Sequence, residues 1–160
     1  DHGVTPRWVT PLGFPVKMRY ENNNKYSIKT MVAGVLRQHR LRVPNGDPNR
    51  RKTLNGICPN FIHSLDGLGG LLGMVVNRAS VEGIRSILAV HDSLYVPASQ
   101  VGIMHRCVRE ETVNMFTEDL LENLAYQFTV QLPSGVSLPA LPHRGELDIN
   151  EVLRSDYYWN

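Results

Sequence analysis

Ser86-Ile87-Leu88-Ala89-Val90-His91-Asp92-Ser93-Leu94-Tyr95-Val96 holds two short apolar runs split by a polar triplet. Runs rich in β-branched, aliphatic and aromatic residues read as strands, and the polar interruption reads as the turn between them. The stretch is expected to be a β-hairpin with His91-Asp92-Ser93 at its tip. A carboxylate in that position is held between two strands while it faces solvent or a cleft. A turn Asp can also do no more than satisfy its own backbone, so the triplet needs support from the rest of the chain.

Upstream lies Pro59-Asn60-Phe61-Ile62-His63-Ser64-Leu65-Asp66-Gly67. A helix is expected after Pro59, although Gly67, Gly69, Gly70 and Gly73 fall inside it and each costs about 1 kcal/mol relative to Ala. Before it, residues 44–49 (PNGDPN) read as a loop leading into the basic triplet Arg50-Arg51-Lys52. Residues 25–43 mix cations with β-branched side chains and are expected to pair as two strands. Residues 8–16 (WVTPLGFPV) read as two short extended pieces around a Pro/Gly turn.

Downstream, Ser99 is the expected N-cap of a long helix with Val101, Met104, Val108, Met115 and Phe116 on one face. A second helix is expected from Thr117, with Glu118 and Asp119 in its first turn and Leu120, Leu121, Leu124 and Phe128 as a buried stripe. A Pro-rich stretch at 138–142 runs towards an aromatic finish, Tyr157-Tyr158-Trp159-Asn160. Strands and helices mix without βαβ alternation, so the expected class is α+β.

Composition is compatible with one domain: 160 residues, of which 42% are hydrophobic and 20% charged, enough to build a core. Net charge is +2 but unevenly spread. Residues 1–56 carry eleven Lys/Arg against three Asp/Glu, and residues 57–160 carry six against twelve. A basic half attracts phosphate backbones, or is merely a solvated face. Cys58 and Cys107 form no C-x-x-C pair, and the six histidines show no H-E-x-x-H spacing, so neither a disulfide framework nor a zinc site is expected. The longest uncharged apolar run, residues 67–76, is half of what a bilayer requires.

Residues 55–66 (NGICPNFIHSLD), followed by Ala89-Val90-His91-Asp92-Ser93, resemble the bacteriophage-type and organellar single-subunit RNA polymerases. WVTPLGFPV at 8–16 resembles the family segment ahead of these motifs. LPALPHRGELDINEVLRS at 138–155 resembles its extreme C-terminus, so the likeness covers nearly the whole chain in order. It implies the C-terminal palm/fingers portion of a right-hand polymerase, with a catalytic β-hairpin and flanking helices. The segmentation expected on this basis is 1–56 (basic strands and loop), 57–98 (the HSLD helix and HDS hairpin) and 99–160 (helices and tail).

The roles implied by the resemblance are specific. Asp92 matches the carboxylate that binds both Mg²⁺ ions of a two-ion site, and His91 matches its neighbour near the primer end. His63 matches the His along the minor groove of the RNA–DNA hybrid. Arg50, Arg51 and Lys52 fall in the basic approach, where phosphate contacts are expected. Residues 157–160 resemble the family's C-terminal foot. The implied partners are DNA template, RNA product, NTPs and transcription accessory factors, with no membrane. Leu65 in H-S-L-D, where the phage enzymes usually have Gln, leans towards a mitochondrial enzyme, with the plastid as alternative. Leu68-Gly69-Gly70-Leu71 and Leu94 depart from the family pattern. The motifs carrying the other metal-binding Asp and the nucleotide-handling Lys and Tyr are absent from these residues, so with Asp at position 1 the chain is expected to be a fragment. Two alternatives stay open, a related DNA polymerase and a non-catalytic nucleic-acid-binding module. Ser93 argues against the first and the intact His91-Asp92 against the second.

Overall fold

The computed structural model describes residues 4–158. In chain order its elements are β1 (Arg7–Val9), β2 (Pro15–Lys17), β3 (Glu21–Val32), β4 (Val35–Pro48), α1 (Arg50–Asp66), α2 (Leu71–Val81), β5 (Leu88–Val90), β6 (Ser93–Tyr95), α3 (Val101–Thr117) and α4 (Leu120–Thr129). Single 3-10 segments cover Ala98–Gln100 and Ile149–Arg154. Strands pair only as three antiparallel hairpins, β1–β2, β3–β4 and β5–β6, so the α+β expectation holds. The chain forms two compact units, Met18–Pro59 and Asp1–Lys17 with Asn60–Asn160.

The Met18–Pro59 unit is a long ribbon and the first part of α1. Lys25 pairs with Arg42, Ser27 with Arg40 and Lys29 with Gln38, which gathers four cations on one face. Tyr26, Ile28, Leu41 and Val43 take the other face. Ala33 and Gly34 close the ribbon, both at positive φ (51° and 78°), as a two-residue hairpin loop of type I′ requires. The loop expected at 44–49 is instead mostly strand, because β4 continues to Pro48 beyond a register shift at Glu21/Asn23. Pro44 and Pro48 are tolerated there because each strand of a two-stranded ribbon has an open edge that needs no donor.

The helix expected after Pro59 begins at Arg50 and runs through that proline. Its start is set by Asn49, whose Oδ1 accepts from Lys52 N (2.9 Å) and whose carbonyl accepts from Thr53 N (3.0 Å). Pro59 removes one internal hydrogen bond, and the rest of the helix carries it.

In the larger unit, Leu71, Val75 and Ala79 of α2 pack with Met104, Cys107, Val108 and Met115 of α3, and Leu65 and Ile84 complete the cluster. Ion pairs flank the α2–α3 seam: Arg78 meets Glu82 and Glu110, both at 3.2 Å, and Arg106 meets Glu82 at 3.0 Å. Burial pushes the Cys107 thiol pKa up, helped by Glu82 and Glu110.

The glycines explain themselves at the corner between α1 and α2. Helix α1 stops at Asp66, and Gly67, Gly69 and Gly70 form the turn; Gly73 alone lies within a helix. The β1–β2 turn seats on this corner, with Leu12 N donating to Gly69 O (3.1 Å). A Cβ at Gly69 would come within 2.8 Å of Thr10 Oγ1 and 2.9 Å of Phe14 Cβ, and one at Gly73 would overlap the Leu68 carbonyl and come within 2.6 Å of Leu12 Cδ1. A Cβ at Gly70 would overlap the Leu65 carbonyl. The free edge of β1 is closed by the amides of Gln127 in α4 and of Gln131 in the turn that follows it. Gln127 accepts from Val9 N (2.7 Å) and donates to Val9 O (3.2 Å), while Gln131 accepts from Arg7 N (3.2 Å) and donates to Arg7 O (2.7 Å).

Four local expectations need correction. Ser99 lies in the 3-10 segment, and Gln100 takes the N-cap of α3 without a side-chain bond. Helix α4 starts at Leu120, capped by Asp119 accepting from Glu122 N (3.0 Å), and Thr117 ends α3. Leu120, Leu121, Leu124 and Phe128 are not fully buried, because Gln127 occupies part of the inner face of α4 and Gln131 covers β1 from the turn after it. On α3, Met104, Val108 and Met115 are buried as expected, but Val101 and Phe116 are exposed.

The tail is held at several points. Arg144 Nη2 donates to Phe116 O (2.6 Å) at the end of α3, where a cation suits the helix dipole. Asp148 caps the Ile149–Arg154 segment, and Tyr158 OH donates to Thr112 Oγ1 (2.9 Å). Trp159 and Asn160 of the expected aromatic foot lie outside the described residues. Among those described, no helix is long and apolar enough to cross a membrane.

The corner makes a paired prediction. Gly70→Ala should destabilise the chain by about 3 kcal/mol through overlap with backbone. Gly102→Ala, in α3 with open space around it, should stabilise by about 0.5–1 kcal/mol. Urea unfolding of both variants checks the contrast; equal effects would refute the packing account.

Candidate active site

The hairpin lies where the sequence places it. Val90 pairs with Ser93, so His91 and Asp92 are the two-residue loop and Ser93 already belongs to β6. His91 takes φ 55°, a left-handed conformation that His tolerates better than most residues. This tight reversal carries the exposed Asp92 carboxylate to a cavity of about 310 Å³. Leu94, Phe116 and Tyr158 line it as well, and so does Asp66.

Asp66 comes from the last turn of α1, and each residue of His63-Ser64-Leu65-Asp66 has a separate task. Leu65 is buried in the core. Ser64 Oγ accepts from Trp8 Nε1 (2.9 Å) and donates to Phe61 O (2.7 Å), which ties the turn to β1. Trp8 is clamped further by edge-on contacts with Phe61 (6.0 Å) and Phe128 (6.3 Å). Asp66 borders the Asp92 cavity. His63 is exposed, so it is no core histidine, and it lines a different space, an open groove of about 570 Å³ with Leu12, Phe14 and Leu68.

The structure therefore puts Asp92 and Asp66 on one cavity and His63 on a neighbouring groove, joined by one helical turn. The sequence reading assigned Asp66 no role. Its only available signal was the spacing of three from His63, which places both on one side of a helix. His91 is exposed beside Asp92. Arg50, Arg51 and Lys52 form the exposed first turn of α1 and belong to the Met18–Pro59 unit. Tyr158 borders the Asp92 cavity, whereas Tyr157 is 83% exposed.

Carboxylate oxygens are the donors that a hard divalent cation prefers, and Mg²⁺ retains several waters, so one or two protein ligands suit it. Among the described residues no group of three or more His, Cys, Asp or Glu comes together as a metal cage. Asp92 and Asp66 thus fit part of a Mg²⁺ site and not an all-protein one.

Comparison with known proteins points one way. The family model described as DNA-dependent RNA polymerase matches residues 2–137. Mitochondrial DNA-directed RNA polymerase 1 of Arabidopsis thaliana is 36% identical over 154 residues, covering 96% of this chain and 15% of that protein. Chloroplastic DNA-directed RNA polymerase 3 of Nicotiana sylvestris is also 36% identical, over 155 residues and again 15% of its length. DNA-directed RNA polymerase 1A of Nicotiana tabacum is 36% identical over 154 residues and 94% covered. The chain thus spans about 15% of the length of the mitochondrial and chloroplastic relatives it matches. A family match over residues 2–137, with relatives 36% identical over nearly the whole chain, means that the chain belongs to the DNA-dependent RNA polymerase family.

Proposed function

We propose that this chain is the C-terminal palm/fingers portion of a single-subunit DNA-directed RNA polymerase working in an organelle, the mitochondrion or alternatively the plastid. The observation that carries the reading is Asp92, presented by a rigid two-residue loop onto a cavity it shares with Asp66. The reaction is template-directed nucleotidyl transfer: the RNA 3′-hydroxyl attacks the α-phosphorus of an NTP and pyrophosphate leaves. Asp92 is the metal-binding residue and His91 orients the loop beside it. Bound there, Mg²⁺ would supply Lewis-acid stabilisation of the charge that develops on the transferred phosphoryl group.

His63 lies against the minor groove of the RNA–DNA hybrid in this reading, and its exposure in an open groove supports that. Arg50, Arg51 and Lys52 contact phosphates. Their position favours it: three exposed cations stand together in the first turn of α1, which holds no acidic residue. The cationic face of the β3–β4 ribbon adds to the same attraction. Template DNA, RNA product and NTPs are the partners, with accessory factors for initiation. The printed names of the mitochondrial and chloroplastic relatives support the organelle.

A two-ion site needs carboxylates beyond these, so the 160-residue chain alone should make no RNA from template, NTPs and Mg²⁺; template-dependent product would overturn its assignment as a partial site. In the longer polymerase, Asp92→Asn should slow single-turnover nucleotide addition by several orders of magnitude and leave hybrid affinity nearly unchanged. His91→Ala should cost less. Addition near the parental rate by the Asp92→Asn enzyme would make Asp92 an ordinary turn residue. Neutralising Arg50, Arg51 and Lys52 together should lower the salt slope of hybrid binding by about 0.9 for each phosphate that the triplet neutralises; an unaltered slope assigns the triplet to a solvated face.

A further inference from the structure

A third groove, of about 360 Å³, lies between the β1–β2 hairpin and α4. It shares only Pro15 with the His63 groove and nothing with the Asp92 cavity. Arg7 and Lys17, directly paired across β1–β2, border it together, and Tyr126 of α4 borders it with its side chain 71% exposed. No acidic residue lines it, and neither cation enters an ion pair among the described residues. The two amides in the groove, Gln127 and Gln131, are already engaged by the backbone of β1.

We propose that Arg7, Lys17 and Tyr126 form a sequence-indifferent site for unpaired nucleic acid, with phosphates on the two cations and a base stacked on the Tyr126 ring. Charge selects an anion, and the exposed ring selects one with a flat apolar face. A duplex hides its base faces, so only an unpaired strand can use both features. With the glutamine amides occupied, no side-chain amide is left to read base edges, so all four bases are accepted. The site stands on this geometry. That the strand is a transcript or a displaced DNA strand rests on the polymerase reading above.

The test uses the 160-residue chain and short oligouridylate or oligothymidylate carrying 5-iodouracil, which crosslinks to stacked aromatic rings on irradiation. The expected adduct is on Tyr126, and the preferred oligonucleotide identifies the strand. Arg7→Gln with Lys17→Gln should lower the salt slope of binding by about 1.4, at about 0.7 per single-strand phosphate neutralised. Tyr126→Leu should weaken binding about tenfold and Tyr126→Phe should restore it. Adducts only elsewhere, duplex competing for the Tyr126 adduct as well as single strand does, or a slope and affinity unmoved by these variants would overturn the proposal. Nucleotide addition is not the readout, so failure of the Asp92 assignment leaves this test standing, and the reverse holds.

Discussion

The close approach of the β1–β2 turn to the corner between α1 and α2 is the constraint on which the larger unit depends. Backbone meets backbone there, Leu12 N on Gly69 O, and side chains of the turn occupy the volume that a Cβ would need at Gly69 and Gly73. Because the turn is seated, Trp8 can reach Ser64 and Phe61, and the last turn of α1 acquires one orientation. From that orientation follow the burial of Leu65, the exposure of His63 and the place of Asp66 on the cavity. Glycines fill this corner for steric reasons. Their local cost in helix propensity is small beside the overlap that any larger residue would create.

The His91-Asp92 loop depends on a second, more local constraint. A two-residue connection between β5 and β6 leaves no slack, so one central residue has to adopt positive φ, and His91 does. Backbone held in this way is costly for a side chain with a Cβ and is found where geometry at a site matters. The hairpin is only three residues per strand and largely exposed. Its inner anchor is Leu94, which packs against the α2–α3 core. Leu94 is therefore a packing residue of the cavity wall.

Electrostatics is divided along the chain in a way that suits the proposed chemistry. The ribbon collects its cations on one face by strand register, and α1 opens with three more. The acidic half spends part of its charge on structure: Glu82 and Glu110 pair with Arg78 and Arg106 across the α2–α3 seam. Asp119 and Asp148 cap helical segments. The hydrogen bonds from Asn150 hold Asp148 below the usual carboxylate range. Asp66 and Asp92 are left for the cavity.

The sequence by itself determined the hairpin around His91-Asp92, the paired pieces at 8–16, the long ribbon and the existence of two C-terminal helices. Period-2 runs interrupted by turn residues, and apolar residues at helical spacing, are local signals that need no partner. It also carried the family, through motifs read in order. It misplaced the start of α1, because a proline and four glycines outweigh an Asn cap in any local reading, while a helix continued by neighbouring turns can absorb one proline. It read 44–49 as loop for the same reason. Only the tertiary structure decided why the glycines are there, that α4 and the turn after it present glutamine amides and not a full apolar stripe to β1, and that Asp66 and Asp92 line one cavity. Each of these depends on segments far apart in the chain, and a residue's local propensity holds no record of what a distant backbone will place against it.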